Sequence, residues 1–189
     1  FEFRLAFRLK VQSEDSVLTA HIVGHPSQES ARQVHLLKEL IKAEEHTIYV
    51  DAGSFVDGTS SVRDGQLSLH RPLGFEILKS LNPAALAPGE TELIAGPTVF
   101  LNEARESGLP YVATNWESDN TDLELPEHHI KEVPGSDASI RIAFLGVVDP
   151  AILNWVPSIG LEGVTLTDPI EAITQKVQEL KKLSNPPDL

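Results

Sequence analysis

Apolar and polar residues alternate strictly over the first twelve positions, with Phe1, Phe3, Leu5, Phe7, Leu9 and Val11 on one side and Glu2, Arg4, Ala6, Arg8, Lys10 and Gln12 on the other. A period of two sends alternate side chains to opposite faces, so the pattern predicts a half-buried strand. The turn-forming run Ser13-Glu14-Asp15-Ser16 follows, and residues 17–23 predict a second strand, naturally an antiparallel neighbour of the first. The apolar face of the first strand must cover either the domain's own core or a partner, and own-core packing is the commoner fate. From residue 30 to residue 43 the period changes. Val34, Leu37, Leu40 and Ile41 recur at helical spacing, with Lys38, Glu39, Lys42, Glu44 and Glu45 toward water, which predicts an amphipathic helix.

Further along, Thr47-Ile48-Tyr49-Val50 reads as a short strand ending in Asp51-Ala52-Gly53-Ser54, and a helix is expected over residues 72–81, with Pro72 as a permitted first-turn residue. Residues 84–87 predict a weak strand, 97–107 a helix closed by Gly108, and 111–114 another strand. Residues 117–126 are acidic and turn-rich and read as a loop outside the core, and 140–148 reads as a buried strand. Asp168 is the expected cap of a last helix, with Pro169 in its first turn and Ile170, Ile173, Val177 and Leu180 on one face. Strands alternating with helices imply an α/β fold with mixed, largely parallel sheets flanked by helices, whose ligand sites lie beyond the carboxyl ends of strands. Trp116 and Trp155 adjoin such ends and read as packing residues.

Composition narrows the function classes. A chain of 189 residues, 41% of them hydrophobic, suits one core, which we assign to residues 17–189, with residues 1–16 as an amphipathic strand and turn before it. Twenty-eight acids against fifteen bases give a formal charge of -13, which repels phosphate backbones and anionic membrane surfaces and argues against a nucleic-acid partner. No apolar run approaches the roughly 20 residues a membrane span needs. The absence of cysteine excludes thiolate metal sites, haem attachment and cysteine nucleophiles. With Phe at position 1 and no methionine, the chain is expected to be a mature or trimmed segment.

Four segments in order resemble the calcineurin-like two-metal phosphoesterases, and within them the 5′-nucleotidase branch. Thr19-Ala20-His21-Ile22-Val23-Gly24-His25 resembles the first metal strand, where a threonine precedes Asp-x-His-Gly. Tyr49-Val50-Asp51-Ala52-Gly53-Ser54 with the later Gly58-Thr59 resembles the Asp-Ala-Gly-Asp segment and its Gly-Thr. Gly89-Glu90-Thr91-Glu92 stands where the family carries Gly-Asn-His-Glu. Residues 110–115, 140–148 and the helix after Asp168 resemble later elements, so that the likeness runs over residues 17–189. It implies a metallophosphoesterase-like α/β/β/α sandwich.

The resemblance also implies a site whose chemistry this chain has changed. In that family two cations bridged by a carboxylate polarise a phosphoryl oxygen and supply a hydroxide, while a histidine protonates the leaving oxygen. By the same matching, His21 replaces the first Asp, Val23 its companion His, Ser54 the bridging Asp, Glu90 the Asn and Thr91 the acid His. Losing bridge and proton donor together removes the dinuclear geometry and the leaving-group acid, so no catalytic residue, metal or other cofactor is expected. The expected function is that of a catalytically degenerate domain, a pseudoenzyme acting as a binding or structural module in a larger exported protein or complex, with another protein domain or subunit as partner. The alternative is a metal-dependent phosphoesterase or 5′-nucleotidase working through relocated ligands His21, Asp51 and Glu90. A third reading makes the chain a fragment whose further ligands lie elsewhere in a parent protein.

Lesser candidates read more simply as ordinary residues. His21 and His25 share a strand face, as Glu90 and Glu92 do if the backbone there is extended, but neither pair has a diagnostic metal spacing. His128 and His129 are adjacent and face opposite ways on a strand. Ser54 lacks a Gly-x-Ser-x-Gly elbow and a paired base, and Asp51, Asp57 and Asp64 lack a calcium-loop spacing. Gly53, Gly58, Gly65 and Gly89 form no phosphate-binding signature.

Overall fold

The computed structural model describes residues 8–11, 16–19, 30–43, 47–56, 64–134, 138–152 and 161–189. Strands β1 (Arg8–Val11) and β2 (Ser16–Thr19) pair antiparallel with Arg8 opposite Thr19, as the alternation and the turn predict. Helix α1 spans Ser30–Ala43, where the change of period placed it, with Leu37 buried on its inner face. Phe1, Phe3, Leu5 and Phe7 lie outside the described residues.

The centre of the domain is a parallel arrangement. Strand β3 (Val50–Asp51) pairs in parallel with β4 (Ala85–Leu86), and Leu86 bridges in parallel to Tyr111. Between β3 and β4 runs α2 (Asp64–Ser80), longer than the expected 72–81 and carrying Pro72 in its interior rather than its first turn. The helix therefore tolerates at Pro72 the loss of an amide donor that would ordinarily end it. Beyond β4 follow the short α3 (Glu90–Leu93) and α4 (Pro97–Ser107). Helix α4 ends where Gly108 takes a left-handed φ of 68° and returns its N–H to Ala104 and Arg105. Leu78, Leu86, Leu93, Phe100, Leu101 and Val112 are essentially fully buried between these elements. The Tyr111 ring meets Phe100 edge-on at 5.0 Å.

The remaining sheets correct the expectation of a largely parallel architecture. Strand β5 (Trp116–Glu117) pairs antiparallel with β8 (Thr165–Leu166), and β6 (His128–Val133) pairs antiparallel with β7 (Ile140–Leu145). Among the described residues one two-stranded sheet is parallel and three are antiparallel, so the chain is a mixed α/β domain with small sheets. The apolar run 140–148 was expected to be buried, yet every residue of β7 is half-buried, because the strand belongs to a hairpin rather than to a central sheet. Conversely, the acidic stretch 117–126 sends Leu123 and Leu125 into the core, and Trp116 donates its indole N–H to the Leu123 carbonyl at 2.8 Å. The last helix, α5 (Pro169–Leu180), is capped as predicted, the Asp168 carboxylate accepting from the N–H groups of Ile170 and Glu171. Its apolar face is narrower than expected, with Leu180 buried and Ile170 76% exposed. Trp155 lies outside the described residues.

Candidate functional site

The parallel pairing of β3 and β4 delivers two loops to the same end of the strands, where ligand sites of α/β domains form. Asp51 closes β3 and is buried. Its Oδ2 accepts from the Tyr49 hydroxyl at 2.8 Å and its Oδ1 from the Gly53 N–H at 2.8 Å. Burial, and then the charge and hydrogen bond of Asp51, hold the Tyr49 proton far more tightly than in an ordinary tyrosine, so Tyr49 is a fixed donor.

The chain then turns through Gly53 (φ 92°) and Ser54 (φ 57°), both left-handed. Position 53 requires glycine twice over. Its φ is one that side chains disfavour, and a Cβ there would stand 2.2 Å from the Gly89 nitrogen. Gly89 is as confined, since a Cβ on it would lie 2.2 Å from the Ser54 nitrogen. The two loops touch backbone to backbone.

What holds them in that contact is Glu92, whose residue is 0% exposed. Its Oε2 accepts from the N–H groups of Ser54 (2.5 Å) and Gly89 (2.9 Å), and its Oε1 accepts from Phe55 (2.8 Å) and Val56 (2.9 Å). A buried carboxylate is tolerated only when its charge is met by donors, and here four backbone amides meet it. Arg71 of α2 supports the same turn from the other side. It donates to the carbonyls of Thr91 and Glu92, each at 3.1 Å, and pairs with Glu103 of α4 at 2.5 Å. Tyr111 registers this concentration of charge. Burial first, then Glu92 and Asp51, raise its pKa against the opposing effect of Arg71.

Three of the five positions singled out from the sequence come together here: Ser54 on one loop, Glu90 and Thr91 on the other. His21 and Val23 lie outside the described residues, as do His25, Asp57 and Gly58. Residues 90–93 form a helical turn rather than extended chain, so Glu90 and Glu92 do not share a strand face: Glu90 is half-exposed while Glu92 is buried. Thr91 is buried, and its hydroxyl has no hydrogen-bond partner. His128 and His129 open β6 and stand opposite Leu145 and Phe144, on alternate faces as expected. Asp64 and Gly65 open a helix, not a calcium or phosphate loop.

These residues do not fit a dinuclear metal centre. Ser54 offers only a neutral hydroxyl, Asp51 already accepts from two donors, and the Glu92 oxygens are each engaged by two amides. Threonine at position 91 has no titratable proton for a leaving group. Among the described residues, no three His, Asp or Glu side chains converge as a metal site requires.

The sequence reading passed over Arg71, Glu103 and the structural use of Glu92. It also passed over the bridging role of Asn115, which is 0% exposed and joins three segments. The Asn115 amide donates to the carbonyls of Val148 (2.8 Å) and Thr167 (3.0 Å) and accepts from the Val148 N–H (2.9 Å). The one available signal was an arginine directly before a helical proline, which periodicity alone does not mark as buried.

No family model matches the chain, and no characterised protein matches it by sequence. Solved structures do match. A 5′-nucleotidase precursor from Thermus thermophilus superposes with a TM-score of 0.65 at 21% identity, over 93% of this chain and 32% of that one. A calcineurin-like phosphoesterase from Bacillus subtilis gives 0.67 at 17% identity, over 87% and 57%. An NAD nucleotidase from Haemophilus influenzae gives 0.63 at 18% identity, over 94% and 30%. The chain spans less than two thirds of the length of each of these neighbours. Over that span it has the fold of the 5′-nucleotidases and calcineurin-like phosphoesterases that its four sequence segments resemble.

Proposed function

We infer that this chain is a catalytically degenerate metallophosphoesterase-like domain that acts as a binding or structural module for another protein domain or subunit. The observation that carries the reading is Ser54. The sequence resemblance matches it to the bridging carboxylate and Thr91 to the proton donor, and Ser54 lies on a turn whose amides are held by Glu92, against the loop that carries Thr91. The scaffold that presents a phosphoesterase site is kept, while the groups that would activate water and protonate a leaving oxygen are replaced by a hydroxyl at each place.

A layered α/β/β/α sandwich, the division into residues 1–16 and 17–189, and residence outside the cytoplasm belong to the same proposal. The division follows the sequence segments, and the sandwich and the location are supported by the likeness to longer proteins, one of them a 5′-nucleotidase precursor. Among the described residues no helix is long and apolar enough to cross a membrane. The relocated-ligand enzyme, with His21, Asp51 and Glu90 as ligands, has against it that both Asp51 oxygens already accept hydrogen bonds.

The test is direct. Purified protein supplied with Mn²⁺, Zn²⁺ or Mg²⁺ is expected to retain no stoichiometric pair of metal ions and to leave a generic phosphomonoester intact at any pH. Metal-dependent turnover, lost on Asp51→Asn or Glu90→Gln, would establish the enzyme instead.

A further inference from the structure

We propose that Glu92 is the positioning residue that sets the conformation of both site loops without a metal ion, so that the surface presented by Ser54 and Glu90, over the buried Thr91, is already assembled in the metal-free protein. The inference deepens the reading of the domain as a binding module, and it stands or falls on the loops rather than on the partner. Four observations converge on it. The Glu92 carboxylate is out of solvent; each of its oxygens takes two amides; three of the amides lie 36 to 38 residues away on the other loop; and Oε2 by itself bridges the loops, holding Ser54 on one and Gly89 on the other.

The consequence for Ser54 follows from backbone chemistry. A left-handed φ of 57° is uncommon for a residue with a Cβ and persists only where the surroundings dictate it. Here the N–H of Ser54 and those of the next two residues all point at one carboxylate, which fixes three successive peptide planes. Gly89 leaves no room for the loops to slide, because a Cβ at that position would already collide with the Ser54 nitrogen and hydroxyl. Arg71 completes the arrangement by binding the carbonyls of Thr91 and Glu92 and tying them through Glu103 to α4, so the turn that carries the carboxylate is itself held. In a metal-organised site the ion draws loop side chains together; in this chain a side chain of one loop does so through the backbone of the other.

Residue-resolved amide hydrogen exchange tests this. In wild-type protein the amides of Ser54, Phe55, Val56 and Gly89 are expected to be protected to the same extent in EDTA and in excess Zn²⁺ or Mn²⁺. Glu92→Gln keeps size but turns one oxygen into an NH₂ group, a donor facing two N–H donors whichever way the amide is turned. One oxygen-sharing pair, Ser54 with Gly89 or Phe55 with Val56, is then expected to exchange roughly 10- to 100-fold faster while the other pair stays protected, the loss typical of a hydrogen bond to a charged group. Acceleration of all four, the second pair following the first, bears the proposal out as well; acceleration of none overturns it, as does protection in the wild type that depends on metal. If the variant does not fold, through-hydrogen-bond couplings from the four amide nitrogens to the Glu92 carboxyl carbon in metal-free wild-type protein decide the matter, and their absence refutes it. None of these readouts involves a partner or phosphoester turnover, so failure here is distinct from failure of the binding-module reading.

Discussion

The two site loops and the β6–β7 hairpin use the same kinds of residue to opposite effect. At the loops, Glu92 and Arg71 are buried, and each is matched by backbone or by its counter-ion. On the hairpin, Glu132 and Arg141 approach at 3.6 Å with the acid 65% exposed. Water competes for the second set and not for the first. Removing one partner of a buried network strands the others in low dielectric, whereas removing one partner of an exposed pair returns the other to solvent. The loops therefore carry fold-level energy and the hairpin carries local, adjustable energy, a division that mutation can break or sharpen.

The largest effect is expected from Arg71→Met. It deprives two buried carbonyls and Glu103 of their donor and should lower unfolding free energy by about 3–5 kcal/mol in urea titrations. A loss as small as that of a surface pair would erase the contrast between the two regions. Gly53→Ala follows closely, at about 3 kcal/mol, since the new methyl meets the backbone of Gly89 and the residue must hold φ 92°. Its effect should be read by the same titration, together with loss of amide protection at Ser54 if the loops are forced apart.

How much of this was legible in the sequence depends on the physical origin of each feature. Helices α1 and α4 and the cap of α5 follow from periodicity, Gly108 and Asp168, which are local signals, and they lie where those signals put them. The run 140–148 did not reveal its environment, because a short apolar segment reads alike in a hairpin and in a central strand, and only tertiary pairing decides. At the site, Ser54, Glu90 and Thr91, which order and spacing single out, lie on two adjoining loops. The role of Glu92 was hidden because its partners are main-chain amides, which no sequence pattern displays, and because three of them sit 36 to 38 residues away. Arg71 was missed for a related reason: a helix with a proline in its interior was read as starting at that proline, which left the arginine outside it.

A smaller change, of opposite sign, is expected within the buried region itself. The Thr91 hydroxyl is enclosed without a partner, so it has left water and gained nothing in return. Thr91→Val should stabilise the free protein by about 1 kcal/mol, seen as a higher denaturant midpoint with an unchanged slope. Should the variant instead be less stable, the hydroxyl has an acceptor in solution. On the hairpin, Arg141→Ala removes the contact with Glu132 and the donations to the carbonyls of Asn185 and Pro186, all at exposed positions. The expected loss is about 0.5–1 kcal/mol and should shrink further in high salt, unlike that of Arg71→Met.

The smallest effect should be one of pH, and it belongs to the hairpin alone. His129 stands on β6 opposite Phe144, and burial, followed by the charges of Lys131 and His128, holds its pKa below the ordinary 6.5. The sign follows from which state takes the proton first. As pH falls past 6.5 the unfolded chain binds a proton that the folded chain still refuses, so the unfolded state is favoured progressively until the lowered folded pKa is passed. Stability from this group is thus fully present above 6.5 and lost on acidification through the window below it. Urea midpoints measured on either side of that window should differ in the wild type and differ less in His129→Gln, which keeps a polar side chain of similar size but cannot titrate there. If the two proteins respond to acid identically, the half-buried face of the hairpin is as open to water as its exposed ion pairs, and the folded environment of His129 does not distinguish its charged and neutral forms.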